Sequence, residues 1–392
     1  MTNPAVSVII PVYNAEAHLA ACIASVRGQT LEQIEILCVD DGSSDQSYAI
    51  LEELAAQDGR MRVFRQQNSG AGAARNLALA QAKGEFISFL DADDRFAEAD
   101  CLRLLYTAAR KMNVAICGGF RQLLLLDGSI TLHSFLRREL ARKPQGVKIS
   151  YSEFQCDYHY QNFLFQRVFL EQNRISFPLY RRFQDPPFLV RAMIKATEFG
   201  AVPVEVYLYR LREQPIEWDQ ETVCGLLRGL TDNLINSREA GLFKLHAQTV
   251  RRIEQDFLEP IVGQMHTQEV YDLCLRANSA VDFSRLNSRR KQADRNQLLP
   301  LRLRESGVQS IVRVNRSEPV RKGESSSVRF PVRGLLKCLR EHGLRYTIMR
   351  GMEHFGVPMG AQLRKPDHAK RKHSRDELDL SEEMISEKIK DK

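Results

Sequence analysis

The sequence predicts an α/β fold: a mostly parallel sheet with helices on both faces, followed by a helical C-terminal extension. Three observations carry this. Between Ala5 and Leu90, short apolar runs alternate with segments of helical periodicity, which is the pattern of a parallel sheet. The polar, glycine and acidic residues collect after those runs rather than inside them. Beyond residue 217 the strand signals stop, and apolar residues recur at helical spacing only.

Taken in order, VSVIIPVY (6–13) is a buried strand, and Asn14 is placed to cap the helix AEAHLAACIASVRGQ. IEILCV (34–39) is the second strand. DDGSSD turns into the helix SYAILEELAAQ. RVFRQ (62–66) is a short third strand, and NSGAGAARNLALAQAKG is a loop entering a helix that stops at Gly84. EFISFL (85–90) is the fourth strand, and it runs straight into DADD. Crossovers between these strands should be right-handed, and the four loops should meet at one edge of the sheet. A helix near 99–111 and a strand over 114–120 follow, then a hairpin in LLLLDGSITL with Asp127-Gly128 at its turn. Helical pieces and loops fill 150–212 and end in the strand VPVEVYLYRLR, and 217–284 reads as two or three amphipathic helices.

The organisation expected is a first domain over 1–215, a helical extension over 216–286, a basic linker over 287–332, and short basic helices with a charged, partly disordered tail over 333–392. The chain has 392 residues and a net charge of +7, but the charge is uneven. Residues 285–375 carry 23 Lys and Arg against 7 Asp and Glu, while the body before them is net acidic. Basicity therefore says little about what the body binds. Few aromatics interleave the basic residues, so nucleic acid is not an expected partner. No apolar run approaches the ~18–20 residues that cross a bilayer, and the first residues lack the basic start of a signal peptide, so a cytoplasmic location is expected. None of the eight cysteines forms a C-x-x-C pair, and reduced thiols are expected.

Five groups of residues stand where chemistry is expected. Asp91 and Asp93 are alternate residues after a strand, so their carboxylates can face one ligand. Two such charges repel unless a cation lies between them, and a hard divalent ion completed by phosphate oxygens would serve. A solvated acidic turn, with Asp94 capping the next helix, is the plainer alternative. Asp40 and Asp41 end the second strand, where a carboxylate can accept hydrogen bonds from a base or ribose. Tyr13 can stack on a nucleobase or simply pack. GAGAAR (70–75) has only two glycines of a dinucleotide fingerprint and follows the third strand, which argues against that cofactor. It still opens a helix N-terminus that favours anions, with Arg75 in its first turns. Asp185 precedes Pro186, Pro187 and Phe188, an apolar setting that would raise a carboxylate's pKa; helix capping is the alternative. His133, His159 and His246 show no metal spacing and read as surface or packing residues. Trp218, the only tryptophan, is placed near the mouth of the cleft.

VSVIIPVYN, VDDGSSDQS and QQNSGAGAARNLALAQAKGEFISFLDADD together resemble the N-terminal half of family 2 glycosyltransferases of bacterial type, over about residues 5–96. NFLFQRVFLEQNRISFP (162–178), RRFQDPPFLVRAMIKA (181–196) and YLYR (207–210) extend the resemblance more weakly. It implies a GT-A, Rossmann-like fold and a metal-dependent inverting transfer from a nucleotide-diphosphate sugar, with a UDP-sugar favoured, to a hydroxyl of a glycan or lipid-linked acceptor in cell-surface polysaccharide synthesis. By position, Pro11, Tyr13, Asn14, Asp40, Asp41, Gly72, Arg75, Asp91 and Ala92 would line the nucleotide-sugar site. Asp91 and Asp93 would hold Mg or Mn, and Asp185 would be the base. Gln184 stands where the family often has Glu. The basic region 285–375 suggests weak contact with the inner face of a membrane. A catalytically silent scaffold is the alternative outside catalysis. A sugar nucleotidyltransferase is the other enzyme reading, but it calls for a Gly-rich basic loop after the first strand, and PVYNAEAH is not one.

Overall fold

The structure is a computed structural model that describes residues 4–211, 216–286 and 296–305. The linker and tail expectations for 287–392 lie almost wholly outside those residues. The first four strands are β1 (Val6–Val12), β2 (Ile34–Asp40), β3 (Met61–Arg65) and β4 (Phe86–Phe89). Between them lie α1 (Glu16–Arg27), α2 (Ser47–Gln57) and α3 (Ala71–Gln81). The short β5 (Arg95–Phe96), α4 (Cys101–Met112), β6 (Ile116–Leu124) and β7 (Ile130–Leu132) come next. They are followed by α5 (Arg137–Leu140), β8 (Val147–Ser150), α6 (Tyr151–Phe154), β9 (Phe163–Gln166), α7 (Arg167–Gln172), α8 (Asp185–Ala196) and β10 (Glu198–Arg210). The extension holds α9 (Gln220–Glu239), α10 (Phe243–Arg251), a π turn over Arg252–Asp256, α11 (Leu258–Gln264), α12 (Gln268–Ala280) and α13 (Leu299–Glu305). No helix among the described residues is long and apolar enough to cross a membrane.

The sheet runs β3-β2-β1-β4-β9-β6-β10-β5. Its first four strands are parallel, as the alternation of the sequence requires. Strand β9 then reverses: Phe86 faces Gln166 and Ser88 faces Leu164 in an antiparallel pair. The residues just before Phe163 therefore come out at the edge where β4 ends. Both faces of the sheet are covered, so its central strands are buried throughout. Val6, Val8, Ile10 and Val12 face one core with α1 and α4, and Ile9 faces the other with Ala74, Ala78 and Phe188. The Asp127-Gly128 hairpin forms as expected: Gly128 adopts φ 82°, and Asp127 accepts from Ser129 N at 2.9 Å.

The extension has its own core, in which Leu227, Leu230, Ile253, Ile261 and Leu273 are buried with Phe183. Trp218 packs against this core, 5.8 Å from the Phe257 ring, and its ring also meets Arg182 of the loop before Asp185 at 5.6 Å. His246 is a packing residue, buried against Ser237 Oγ at 3.0 Å. All seven cysteines among the described residues are free thiols.

Candidate active site

The loops after β1 and β2 are laced together by hydrogen bonds. Asn14 Oδ1 accepts from Ser44 N at 2.9 Å, and Asn14 N donates to Ser43 Oγ at 3.0 Å. Asn14 is not the helix cap the sequence suggested: α1 begins at Glu16, and Asn14 takes a left-handed φ of 47° to reach the neighbouring loop. This turn throws Tyr13 outward, 52% exposed, which favours a free ring face over packing. Pro11, buried in β1, pairs with Val39 beyond the point where β4 stops pairing, so its missing N–H costs the sheet nothing.

Asp41 is buried and ties the second loop to the third. Its Oδ1 accepts from Gln66 Nε2 at 2.7 Å and Ser69 N at 2.8 Å, and Oδ2 accepts from Gly70 N at 2.9 Å. Asp40, fully buried, pairs with Arg65 Nε at 3.1 Å. Gly72 serves close packing: a Cβ there would come within 2.9 Å of the Pro178 carbonyl oxygen. The glycine lets α3 lie against the loop that leads to Asp185.

Arg75 stands at the centre. It is 5% exposed rather than solvated, and its Nη2 donates to Asp91 Oδ1 at 2.6 Å. The guanidinium lies over the Tyr160 and Phe177 rings at 5.3 and 5.2 Å. Its Nε and Nη1 are buried without hydrogen-bond partners among the described residues. A buried cation with two unmatched donors is a receptor for anionic oxygen. The fields of Asp91 and Asp185 both act on it and hold its charge.

Asp91 is further bound by Gln161 Nε2 to Oδ2 at 3.0 Å and by the Tyr160 hydroxyl at 3.4 Å. Both of its oxygens are therefore engaged by protein donors, and Arg75 supplies the cation that its charge calls for. A hard divalent ion completed by substrate phosphates would suit the oxygen donors of Asp91 and of the half-buried Asp93. No group of three His, Cys, Asp or Glu among the described residues encloses a metal by itself. Ala92 is buried between the two acids.

Asp94 neither caps a helix nor faces outward. It is 2% exposed and accepts from the Tyr207 hydroxyl at 2.6 Å and Arg210 N at 2.7 Å, fixing the acidic turn to β10. Burial and the neighbouring Asp91 and Asp93 push its pKa up to about 8.

Asp185 opens α8 as its first residue, with Gln184 at the cap position and prolines in the first turn. Its pKa is raised, chiefly by burial, against the opposing pull of Arg75. Beneath it, Phe188 stacks on Phe177 at 4.0 Å and meets Phe89 edge-on at 5.5 Å, so α8 is fixed to the end of β4 by aromatic contacts. The sequence reading missed Tyr160, Gln161 and Tyr207. The direction of β9 would have found the first two, since residues preceding an antiparallel strand share the edge where its parallel neighbour ends. A separate surface cavity of about 460 Å³, lined by Pro4, Gln33, Lys83 and Tyr106, opens at the opposite edge and includes none of these residues.

Residues 7–172 match the model of Glycosyl transferase family 2. The chain is 35% identical over 215 residues to the putative glycosyltransferase EpsH of Bacillus subtilis (strain 168), covering 54% of this chain and 62% of EpsH. It is 28% identical to glycosyltransferase GlyG of Streptococcus pneumoniae serotype 4, covering 72% of this chain and 98% of GlyG. The chain spans 62% and 61% of the lengths of EpsH and EpsJ of Bacillus subtilis. The crystal structure of S. aureus TarS 1-349 with UDP-GlcNAc shares the fold, with a TM-score of 0.57 at 19% identity over 71% of this chain and 82% of that one. The segment over residues 7–172, which carries the ordered motifs, is thus the part of the chain that matches glycosyl transferase family 2.

Proposed function

We propose that this protein is an inverting glycosyltransferase that moves a sugar from a nucleotide-diphosphate sugar to a hydroxyl of a glycan or lipid-linked acceptor, in cell-surface polysaccharide synthesis. The observation that carries this reading is the convergence of Asp91, Arg75 and Asp185 at one sheet edge, where Asp91 bonds Arg75 at 2.6 Å and the Asp185 charge acts on the same guanidinium. The kinship to GlyG and EpsH supports transferase chemistry, and the UDP-GlcNAc bound by TarS favours a UDP-sugar donor.

Asp185 takes the proton of the acceptor hydroxyl as its oxygen attacks the anomeric carbon, while the bond from that carbon to the diphosphate oxygen breaks. Burial raises the basicity of Asp185 toward what the transfer needs. Arg75 presents its unmatched Nε and Nη1 to the charge growing on the leaving group. Tyr13 stacks on the base, while Pro11, Asn14, Asp40 and Asp41 hold the loops that frame it. Gly72 and Ala92 keep the walls close, and Asp91 orients Arg75. Asp91 and Asp93 would hold Mg or Mn, which would supply neutralisation of the diphosphate.

The net positive charge of residues 285–375 supports weak attachment to an anionic membrane face at the cytoplasmic side, as part of the same proposal. The decisive test is a thermal-shift screen of UDP-, GDP- and other nucleotide sugars with and without Mn, on the native chain and on Asp93→Asn, followed by turnover of whichever sugar binds. Metal-dependent stabilisation that is lost in the variant is the expected result. No shift with any nucleotide would remove the donor site, and binding without turnover would make the protein a scaffold.

A further inference from the structure

Arg121 lies on β6, a strand that none of the chemistry above uses. It is 9% exposed, and its guanidinium sits over the Tyr209 ring at 4.0 Å. Its Nε is buried with no hydrogen-bond partner among the described residues. Two imidazoles face the same place. His133 N donates to the Arg121 carbonyl at 2.8 Å, which fixes the two residues side by side across the β6–β7 pair. His159 is held in the left-handed region at φ 69°, and its ring stacks on Phe135 at 4.8 Å and meets His133 at 5.5 Å. Its Nδ1 is also buried without a partner. A left-handed φ at a non-glycine residue marks a conformation that its surroundings impose.

Burial and the field of Arg121 lower the pKa of both imidazoles, so each offers one N–H donor at neutral pH. The fields of Asp94 and Asp91 of the acidic turn act on Arg121. The loop carrying His159 continues directly into Tyr160 and Gln161, which bind Asp91. The cluster therefore adjoins the reacting centre, on the side away from the nucleotide loops after β1 and β2.

We infer that Arg121, His133 and His159 form an oxyanion-binding subsite for the acceptor, which would thus be an acidic glycan bearing a carboxylate or phosphate near the hydroxyl that attacks. A buried guanidinium with an unmatched Nε, beside a neutral imidazole whose unmatched Nδ1 donates when it carries the ring proton, is a set that an oxyanion would satisfy. Phe135 and Tyr209 supply apolar faces on which a sugar ring can lie. The acceptor role rests on the transferase reading, but the anion site does not.

The test titrates glucuronate, inorganic phosphate and, as the neutral control, glucose into the full chain, with and without saturating UDP and Mg. The readout is the imidazole C2–H resonances. Saturable shifts of the His133 and His159 resonances with at least one oxyanion and none with glucose are expected, and the tighter of the two names the acidic group. Arg121→Gln and His159→Asn should each weaken that binding by about tenfold or more, and Asn tolerates the left-handed backbone at 159 should the arginine variant misfold. An equal response to glucose, no saturable shift, or unchanged affinity in His159→Asn would overturn the subsite. Oxyanion binding with no UDP binding would leave the subsite standing and remove the donor reading.

Discussion

Residues 6–90 and residues 157–210 supply the two walls of the site by different means. The first wall comes from parallel strands whose carboxyl ends all face one way, so Tyr13, Asp41 and Arg75 arrive at the edge by topology alone. Loop-to-loop hydrogen bonds then fix them, such as Asp41 to Ser69 N at 2.8 Å. The second wall has no such rule. Tyr160 and Gln161 reach the edge because β9 reverses direction, and Asp185 because α8 is pressed there from behind by the extension. Gly229 of α9 lies so close that a Cβ would stand 2.3 Å from the Phe183 carbonyl oxygen. Asp157, just ahead of Tyr160, is buried in a two-pronged pair with Arg252, whose Nη2 donates at 2.9 Å, and Asn233 donates to it at 2.8 Å. The first wall, which faces the donor in the proposed function, is set by its own architecture, whereas the second depends on helices outside the segment that matches family 2.

The sharpest break in this comparison is Asp185→Asn. Loss of the base should cut turnover by roughly 10²–10⁴-fold while leaving nucleotide affinity intact, measured as sugar transfer against nucleotide binding. The same residue gives a pH signature. Its carboxyl is raised above the ordinary value of about 4. Activity should therefore fall as pH drops through a point above that value. Stability moves the other way. A carboxyl raised on folding contributes stability that is fully present below its unfolded pKa and is lost as pH rises through the folded one. Asp185→Asn should flatten both profiles and be at least as stable as the native chain at pH 7. An acid limb at an ordinary carboxylate value would break the assignment.

Arg252→Met tests the dependence of the second wall on the extension. It leaves Asp157 buried beside Asn233 without its cation, which costs about 3–5 kcal/mol in comparable sites. Denaturant unfolding should show that loss. Turnover should fall with it, because Asp157 anchors the loop that carries Tyr160 and Gln161 to Asp91, whereas Tyr13 and its neighbours should keep most of their nucleotide affinity. Equal loss of nucleotide binding would show that the two walls are not separable in this way.

The difference between the walls is also the difference in what the sequence discloses. Asp41 and Asp91 are legible because a parallel strand announces its own carboxyl end, and because a local motif fixes the loop that follows. Asp185 is legible from its prolines and its family motif, but its partners are not. Gln161 to Asp91 is a contact across seventy residues, set by the reversal of β9, and Arg252 to Asp157 crosses ninety-five. No local periodicity encodes either. The cap expected at Asn14, and the one left open at Asp94, fail for the same reason. Both look like helix caps in the local sequence, and both are taken instead by long-range partners, Ser44 for the first and Tyr207 for the second.

On the first wall, Tyr13→Ala should weaken nucleotide binding by about 1–3 kcal/mol, the usual worth of a base stacked on an aromatic ring. Since Tyr13 is 52% exposed and packs little, stability should hardly change. A melting temperature that falls together with affinity would mean that the ring packs after all and is no platform.

The smallest effect is the most telling about how the extension grips the Asp185 loop. Arg181, four residues before Asp185, reaches Glu221 in the first turn of α9 at 2.5 Å and Asp219 at 3.7 Å. All three side chains are largely exposed, and such pairs are worth about 0–1 kcal/mol because water and salt screen them. If buried contacts hold the loop, Glu221→Gln should change neither turnover nor stability by more than a few tenths of a kcal/mol, and raising the salt concentration should leave turnover unchanged. The Phe183 carbonyl against Gly229 and the Asp157–Arg252 pair lie beyond the reach of screening, so Gly229→Ala should do what Glu221→Gln cannot. A salt-sensitive turnover that Glu221→Gln reproduces would reverse the assignment and make the surface charges the hinge on which Asp185 is set.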